Sequence, residues 1–206
     1  MSRRMKVMNS PYMGEFRVSQ EFKGAAVHDG LDLVGVDSKE VHCVVSGTVI
    51  FCGWENPQNH GQGFGKYVKV QAANGDIWYY GHLSDIRVKV GQEVRVTDVL
   101  GTEGSTGHST GSHLHICCRP NGIKAKAKDV SELLRIPNEK GTYDDGYLAK
   151  LTEAGESVHT VKKRESLWKI AAKYLGDGTR YPEIMKLNDL SSDKIYAGMT
   201  LRIPEK

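Results

Sequence analysis

No stretch of this chain is apolar for long enough to cross a membrane. Its start, MSRRMKVMNSPYMGEF, has two arginines but lacks the continuous hydrophobic run of an export signal. The expectation is a protein made in the cytoplasm, without a signal peptide and without membrane insertion. A strong charge of one sign is also missing, because 28 Lys and Arg against 25 Asp and Glu leave a formal net charge of only +3. That balance is mild beside the basic blocks of nucleic-acid binders, so no nucleic-acid partner is expected. The short cluster Lys124, Lys126 and Lys128 reads as a solvated face. The four cysteines, Cys43, Cys52, Cys117 and Cys118, have no CxxC spacing, and a bond between the adjacent pair would be strained. They read as small buried hydrophobes of a reducing compartment, with a bridge such as Cys43 to Cys117 left open.

With 39% hydrophobic residues in 206, the chain can bury an ordinary core in one or two domains. From about 19 to 120, β-branched and aromatic runs (VHCVV, GTVIFCGW, GKYVKVQA, DIWYYGHL, HLHICCRP) alternate with Gly and Asn turns, the pattern of a β domain. AANGD marks a hairpin, since Asn74-Gly75 offers the positive φ angles of a tight two-residue turn. DVSELLRI predicts one short helix, and the domain is set at 1–136. A linker is placed at 137–156, where Pro, Gly and charges mix without period. After Ser157 comes a small α+β unit, 157–206, ordered strand, helix, helix, strand. SVHTV and TLRIP are its strands, SLWKIAAKYLG is a helix stopped by Gly176, and YPEIMKLN is a second helix with Pro182 in its first turn. Trp168 is expected in its core, because an aromatic at helical spacing is more often packing than a ligand platform.

Histidine placement carries the chemistry. Four of the eight histidines fall in three glycine-punctuated segments, HDGLD, YYGHL and GSHLHI. Residues two apart on a strand face the same way, so His113 and His115 present two imidazoles to one surface. His28 and Asp32 lie four apart across Gly30, where an extended segment can bring imidazole and carboxylate together. Nitrogen and oxygen donors of this kind suit zinc. No HExxH occurs, so the glutamate base of that protease class is missing. His42, His60, His108 and His159 match none of these segments and read as structural or exposed. Asp29 and Asp37 read as turn residues.

Over about 19–120 the chain resembles the lysostaphin-like, or LytM-like, zinc endopeptidases, which carry HxxxD, a later isolated histidine and a terminal HxH in that order. The resemblance implies a mainly β fold with an antiparallel sheet and one Zn2+ per chain, held by His28, Asp32 and His115 with water in the fourth position. It also assigns His82 and His113 to catalysis. The division expected is His113 as base toward the metal water and His82 as the group that stabilises the tetrahedral intermediate. Those two roles are exchangeable on sequence grounds.

The segment 157–204 resembles a LysM domain, a βααβ carbohydrate-binding module, through VKKRESLWKIAAKYLGD, RYPEIMKLN and IYAGMTLRIP. Arg164-Glu165-Ser166-Leu167 stands where many members have Gly-Asp-Thr-Leu. The resemblance makes Ser166, Leu167, Ile195 and Tyr196 candidates for sugar contact. Together the two resemblances imply a bacterial peptidoglycan hydrolase. It would cut stem-peptide or cross-bridge bonds while LysM holds N-acetylglucosamine-containing glycan. Delivery would be by holin, lysis or a phage-like particle, as for a phage or prophage lysin. The alternative is a non-catalytic LytM-like wall binder, activator or structural tail protein.

Overall fold

The structure is a computed structural model and describes residues 9–146, 157–162, 164–188, 190, 192–195 and 199–205. The chain divides into two compact units, Met1–Asp145 and Gly146–Lys206. In the first, the strands in chain order are β1 (Glu15–Gln20), β2 (Gly30–Gly35), β3 (Glu40–His42), β4 (Gly47–Trp54), β5 (Lys66–Ala72), β6 (Asp76–Gly81), β7 (Asp85–Ile86), β8 (Glu93–Val94), β9 (Val99–Thr102), β10 (Leu114–Pro120) and β11 (Gly141–Asp144). A short helix α1 (Val130–Leu134) lies between β10 and β11. Eight strands form one sheet in the order β11-β1-β2-β10-β6-β5-β4-β8, and β3, β9 and β7 form a second sheet of three. Every pairing in both sheets is antiparallel.

Alternation along the central strands gives the large sheet two different faces. Phe16, Val18, Leu31, Leu33, Val68, Val70, Trp78, Tyr80, Ile116 and Cys118 point into the main core. Their neighbours Asp32, Tyr67, Lys69, Tyr79, His115, Cys117 and Arg119 fall on the opposite face. A register slip of one residue would exchange the two sets, so burial of the apolar set fixes where the polar set stands. The cysteines are free thiols. A Cys43–Cys117 bridge is not made, because Cys43 belongs to the main core while Cys117 packs with Tyr67 and Tyr79 on the other face.

Two expectations change here. The hairpin between β5 and β6 has three connecting residues, and of these only Gly75, at φ 82°, is left-handed. The side chain of Asn74 accepts from the Asp76 amide at 3.1 Å instead, so an Asx contact followed by one left-handed glycine replaces the expected two-residue turn. Residues 141–144, read as linker, form β11 and pair with β1, placing Tyr143 against Phe16 with ring centroids 6.2 Å apart.

The second unit contains β12 (Ser157–Thr160), α2 (Leu167–Leu175), α3 (Tyr181–Leu187) and β13 (Thr200–Ile203), with β12 and β13 antiparallel. Ser166 caps α2 by accepting from the Lys169 amide, and Gly176 ends it at φ 79°. Leu167, Ile170, Ala171 and Leu175 turn inward onto Ile184, Leu201 and Ile203. Asn188 ties α3 to β13 in both directions, its amide donating to the Arg202 carbonyl and its carbonyl accepting from the Arg202 amide, each at 2.7 Å. Trp168 contradicts its expected place in the core: it is 56% exposed. Its ring lies against Gly178 of the following turn, where an added Cβ would sit 2.2 Å from Trp168 Cε2. The helix period alone could not show that a later turn offers this outer seat.

Candidate active site

His115 is the centre of the first unit's polar face, because β10 lies between β2 and β6. Its register partners are Asp32 on β2 and Gly81 on β6. Gly30, two residues before Asp32 on the same face, lets the strands close: a Cβ there would meet the Ile116 carbonyl oxygen at 2.4 Å and His115 Nε2 at 2.8 Å. His28 precedes β2 and is held by a turn in which its amide donates to the Gly24 carbonyl at 3.1 Å. Its Nδ1 lies 2.7 Å from the Glu21 carbonyl oxygen, a contact that requires the proton on Nδ1 and leaves a lone pair on Nε2.

Three donor atoms converge. His28 Nε2 is 3.2 Å from Asp32 Oδ1 and 3.1 Å from His115 Nδ1, and His115 Nδ1 is 2.8 Å from Asp32 Oδ1. Asp29 Oδ1 stands 3.7 Å from His115 Nε2 and favours a proton there, turning the Nδ1 lone pair inward. Three lone pairs so close repel one another unless a proton or a metal cation lies among them. Donors bonded to one zinc at about 2.0–2.2 Å can be separated by up to about 4 Å, so the set fits that ion. Burial would raise the Asp32 carboxyl, yet without a cation His115 and His28 share protons with it and hold it well below the usual carboxylate range; a bound cation takes the place of those protons. Burial would lower His115, yet Asp29, Asp32 and the Cys117 thiol hold it well above the ordinary histidine value. Asp29, His115 and Cys117 are a second group close enough to share a metal ion, but Arg119 Nε already occupies Asp29 Oδ2 at 2.7 Å.

His82 and His113 stand beside this triangle. Their rings are 4.6 Å apart, and His113 Nε2 is 3.8 Å from Asp32 Oδ2. His82 directly follows β6 in the left-handed region, at φ 63°, a conformation uncommon outside glycine. Its Nδ1 lies 2.7 Å from the Thr106 carbonyl oxygen, and His113 Nδ1 lies 2.8 Å from that of Gly111. Burial lowers the pKa of His82 to about 4. All five residues singled out in the sequence of the first unit are therefore neighbours.

Other residues hold the site together without a sequence signal. The buried carboxylate of Glu103 accepts from Tyr12 Oη at 2.6 Å, the Gly35 amide at 2.8 Å, Lys39 Nζ at 2.9 Å and Ser112 Oγ at 2.6 Å. It thereby anchors the residue before His113 to β2. Asp29, read as a turn residue, is instead buried between Arg119 and His115. Arg119 lies over Tyr79 and Phe64, at 4.6 and 5.1 Å from their ring centres. The glycine-rich segments before β5 and before β10 clasp through backbone bonds, Gly107 to the His60 carbonyl at 3.0 Å and His108 to that of Gly63 at 2.9 Å. His60 stacks flat on Trp54 at 3.6 Å.

In the second unit, Ser166 is exposed at the α2 cap and Ile195 is half-buried against the small core. Leu167 is 1% exposed, so the expectation of sugar contact is corrected for its side chain, which packs inside. Tyr196 lies outside the described residues.

Comparison with known proteins gives this arrangement its class. Residues 26–127 match Peptidase family M23 and residues 159–204 match the LysM domain. The chain is a LytM-like M23 peptidase domain followed by a LysM domain. It is similar to the DD-carboxypeptidase/endopeptidase Mpg of Neisseria meningitidis, 36% identical over 140 residues, which cover 68% of this chain and 28% of the relative. Lysostaphin of Staphylococcus simulans is 35% identical over 91 residues, covering 43% of this chain and 17% of that protein. A solution structure of lysostaphin superimposes with a TM-score of 0.50 at 27% identity, covering 58% of this chain and 50% of that one. The matched region thus spans less than a third of the length of these curated relatives.

Proposed function

We propose that this chain is a zinc-dependent endopeptidase of bacterial peptidoglycan, cutting stem-peptide or cross-bridge amide bonds while its LysM unit holds N-acetylglucosamine-containing glycan. The observation that carries the reading is the triangle of His28 Nε2, Asp32 Oδ1 and His115 Nδ1, with edges of 2.8 to 3.2 Å, flanked by two further histidines. The similarity to a DD-carboxypeptidase/endopeptidase and to lysostaphin supports the substrate class. Tethering by a second module raises the local concentration of the first without new contacts at the site.

Zinc held by those three atoms would supply a Lewis acid for the scissile carbonyl and a water made acidic enough to attack at neutral pH. Three protein donors with one open place are the pattern of a catalytic rather than a structural zinc. The remaining tasks, accepting a proton and stabilising the oxyanion, fall to His82 and His113. Both direct Nδ1 to a carbonyl oxygen, so Nε2 is the working atom of each. His82, lowered to about 4 by burial, is neutral at pH 7. His113 Nε2 lies 3.8 Å from Asp32 Oδ2. Both imidazoles therefore stand where they can take either task, as the sequence left open.

The test is digestion of peptidoglycans of different cross-bridge types, with products read by mass spectrometry. New peptide ends that vanish with chelator and return with zinc are expected. Stoichiometric zinc with unchanged muropeptides would leave a wall-binding role instead.

A further inference from the structure

Beside the triangle, the polar face of the large sheet becomes an aromatic floor. Tyr67 and Tyr79 lie 4° from parallel with centroids 6.3 Å apart, and Phe64 stacks on both. Phe51 closes the far side, 4.5 Å from Tyr67. Over this floor stand two half-buried cations, Arg119 and Lys69, and Lys69 Nζ lies 5.4 Å from the ring centres of Phe51 and Tyr67 and 5.1 Å from that of Tyr79. Arg119 has a polar partner, donating to Asp29 at 2.7 Å. Glu55, the carboxylate that faces Tyr67, is engaged by the Phe64 amide. Among the described residues no carboxylate pairs with Lys69. Ring faces steady an ammonium group and shed some of its water, but they leave its hydrogen-bond donors unused.

We propose that Lys69 and the Phe51, Tyr67 and Tyr79 rings beneath it form an anion subsite that takes a free carboxylate of the peptide substrate. The inference rests on the endopeptidase reading and sharpens it, favouring carboxylate-bearing stem peptides over uncharged glycine bridges. Register sets the spacing. His115 pairs with Gly81, Tyr79 is two residues along β6, and Tyr79 pairs with Lys69. Two strand spacings across and two residues along place Lys69 about 12 Å from His115. An extended peptide covers that distance in roughly three to four residues, so the carboxylate sits about that far from the bond being cut.

The experiment uses pairs of synthetic stem peptides that differ only in a free carboxylate or its carboxamide, assayed with the zinc-loaded full chain. The carboxylate member should have a kcat/KM about fivefold higher, carried mainly by KM, as expected for one partly exposed ion pair. The preference should shrink with added salt. Lys69→Gln should bring the ratio to about one, and Lys69→Arg should restore it. Equal rates for the pairs in the unmodified protein, or a preference that survives in Lys69→Gln, would overturn the subsite. Calorimetric binding of the same pairs to the His113→Ala protein separates the two readings. If nothing is cut while the carboxylate still tightens binding, the endopeptidase reading fails and the subsite stands. If every peptide is cut equally, the reverse holds.

Discussion

Both units bury a histidine against a carboxylate, and the two clusters have opposite hydrogen-bond logic. In the second unit His159 Nε2 meets Glu165 Oε2 at 2.6 Å, the same oxygen accepts from the Lys162 amide at 2.7 Å, and Tyr174 Oη lies 3.1 Å from His159 Nδ1. Each lone pair there faces a hydrogen. In the first unit, His28 Nε2, His115 Nδ1 and Asp32 Oδ1 face one another, while the ring protons point outward to Glu21 and toward Asp29. A histidine cluster that satisfies itself is structure. One whose three donor atoms meet at a shared point can hold a metal ion.

Removing one donor is the strongest way to break this contrast. His28→Ala or Asp32→Asn should weaken zinc binding by more than the roughly 10–100-fold that supporting residues cost, measured by competition with a chromophoric chelator. His159→Ala should leave zinc affinity unchanged. Next in size, His82→Ala and His113→Ala should each lower turnover about 10²–10⁴-fold with zinc still bound at one equivalent; loss of the ion in either would move that residue among the ligands. Gly30→Ala should destabilise the first unit by about 1–3 kcal/mol through overpacking against the Ile116 carbonyl and His115, read from chemical denaturation. The smallest effect belongs to the second unit. The Lys162 amide and His159 hold Glu165 below its ordinary 4.5. Its contribution is therefore present above that value and lost as pH falls below it. Glu165→Gln should flatten this acid limb in the isolated unfolding signal of the second unit. An unchanged limb would assign it elsewhere.

The five clustered residues of the first unit were legible because they sit in short segments where two-residue strand spacing and one glycine do most of the positioning. The two-residue spacing in HLH told that His113 and His115 share a face. What joins those faces was not legible. Asp29 meets Arg119 only because β2 pairs with β10, a non-local register that no single segment encodes. Glu103 gathers donors from four separate places, and its own neighbours, Thr102 and Gly104, give no hint of them. Strand β11 was missed because GTYD offers only two residues of β character beside a glycine and a charge. Trp168 was misplaced because its outer seat is made by Gly178, beyond the helix whose period was read.

The most direct measurement is X-ray absorption at the zinc edge on the full chain loaded with one equivalent. The account predicts a shell of nitrogen and oxygen at about 2.0–2.1 Å with no sulfur, abolished by His28→Ala. A sulfur scatterer at about 2.3 Å would place the ion on Cys117 with Asp29 and the far side of His115, and would contradict the triangle.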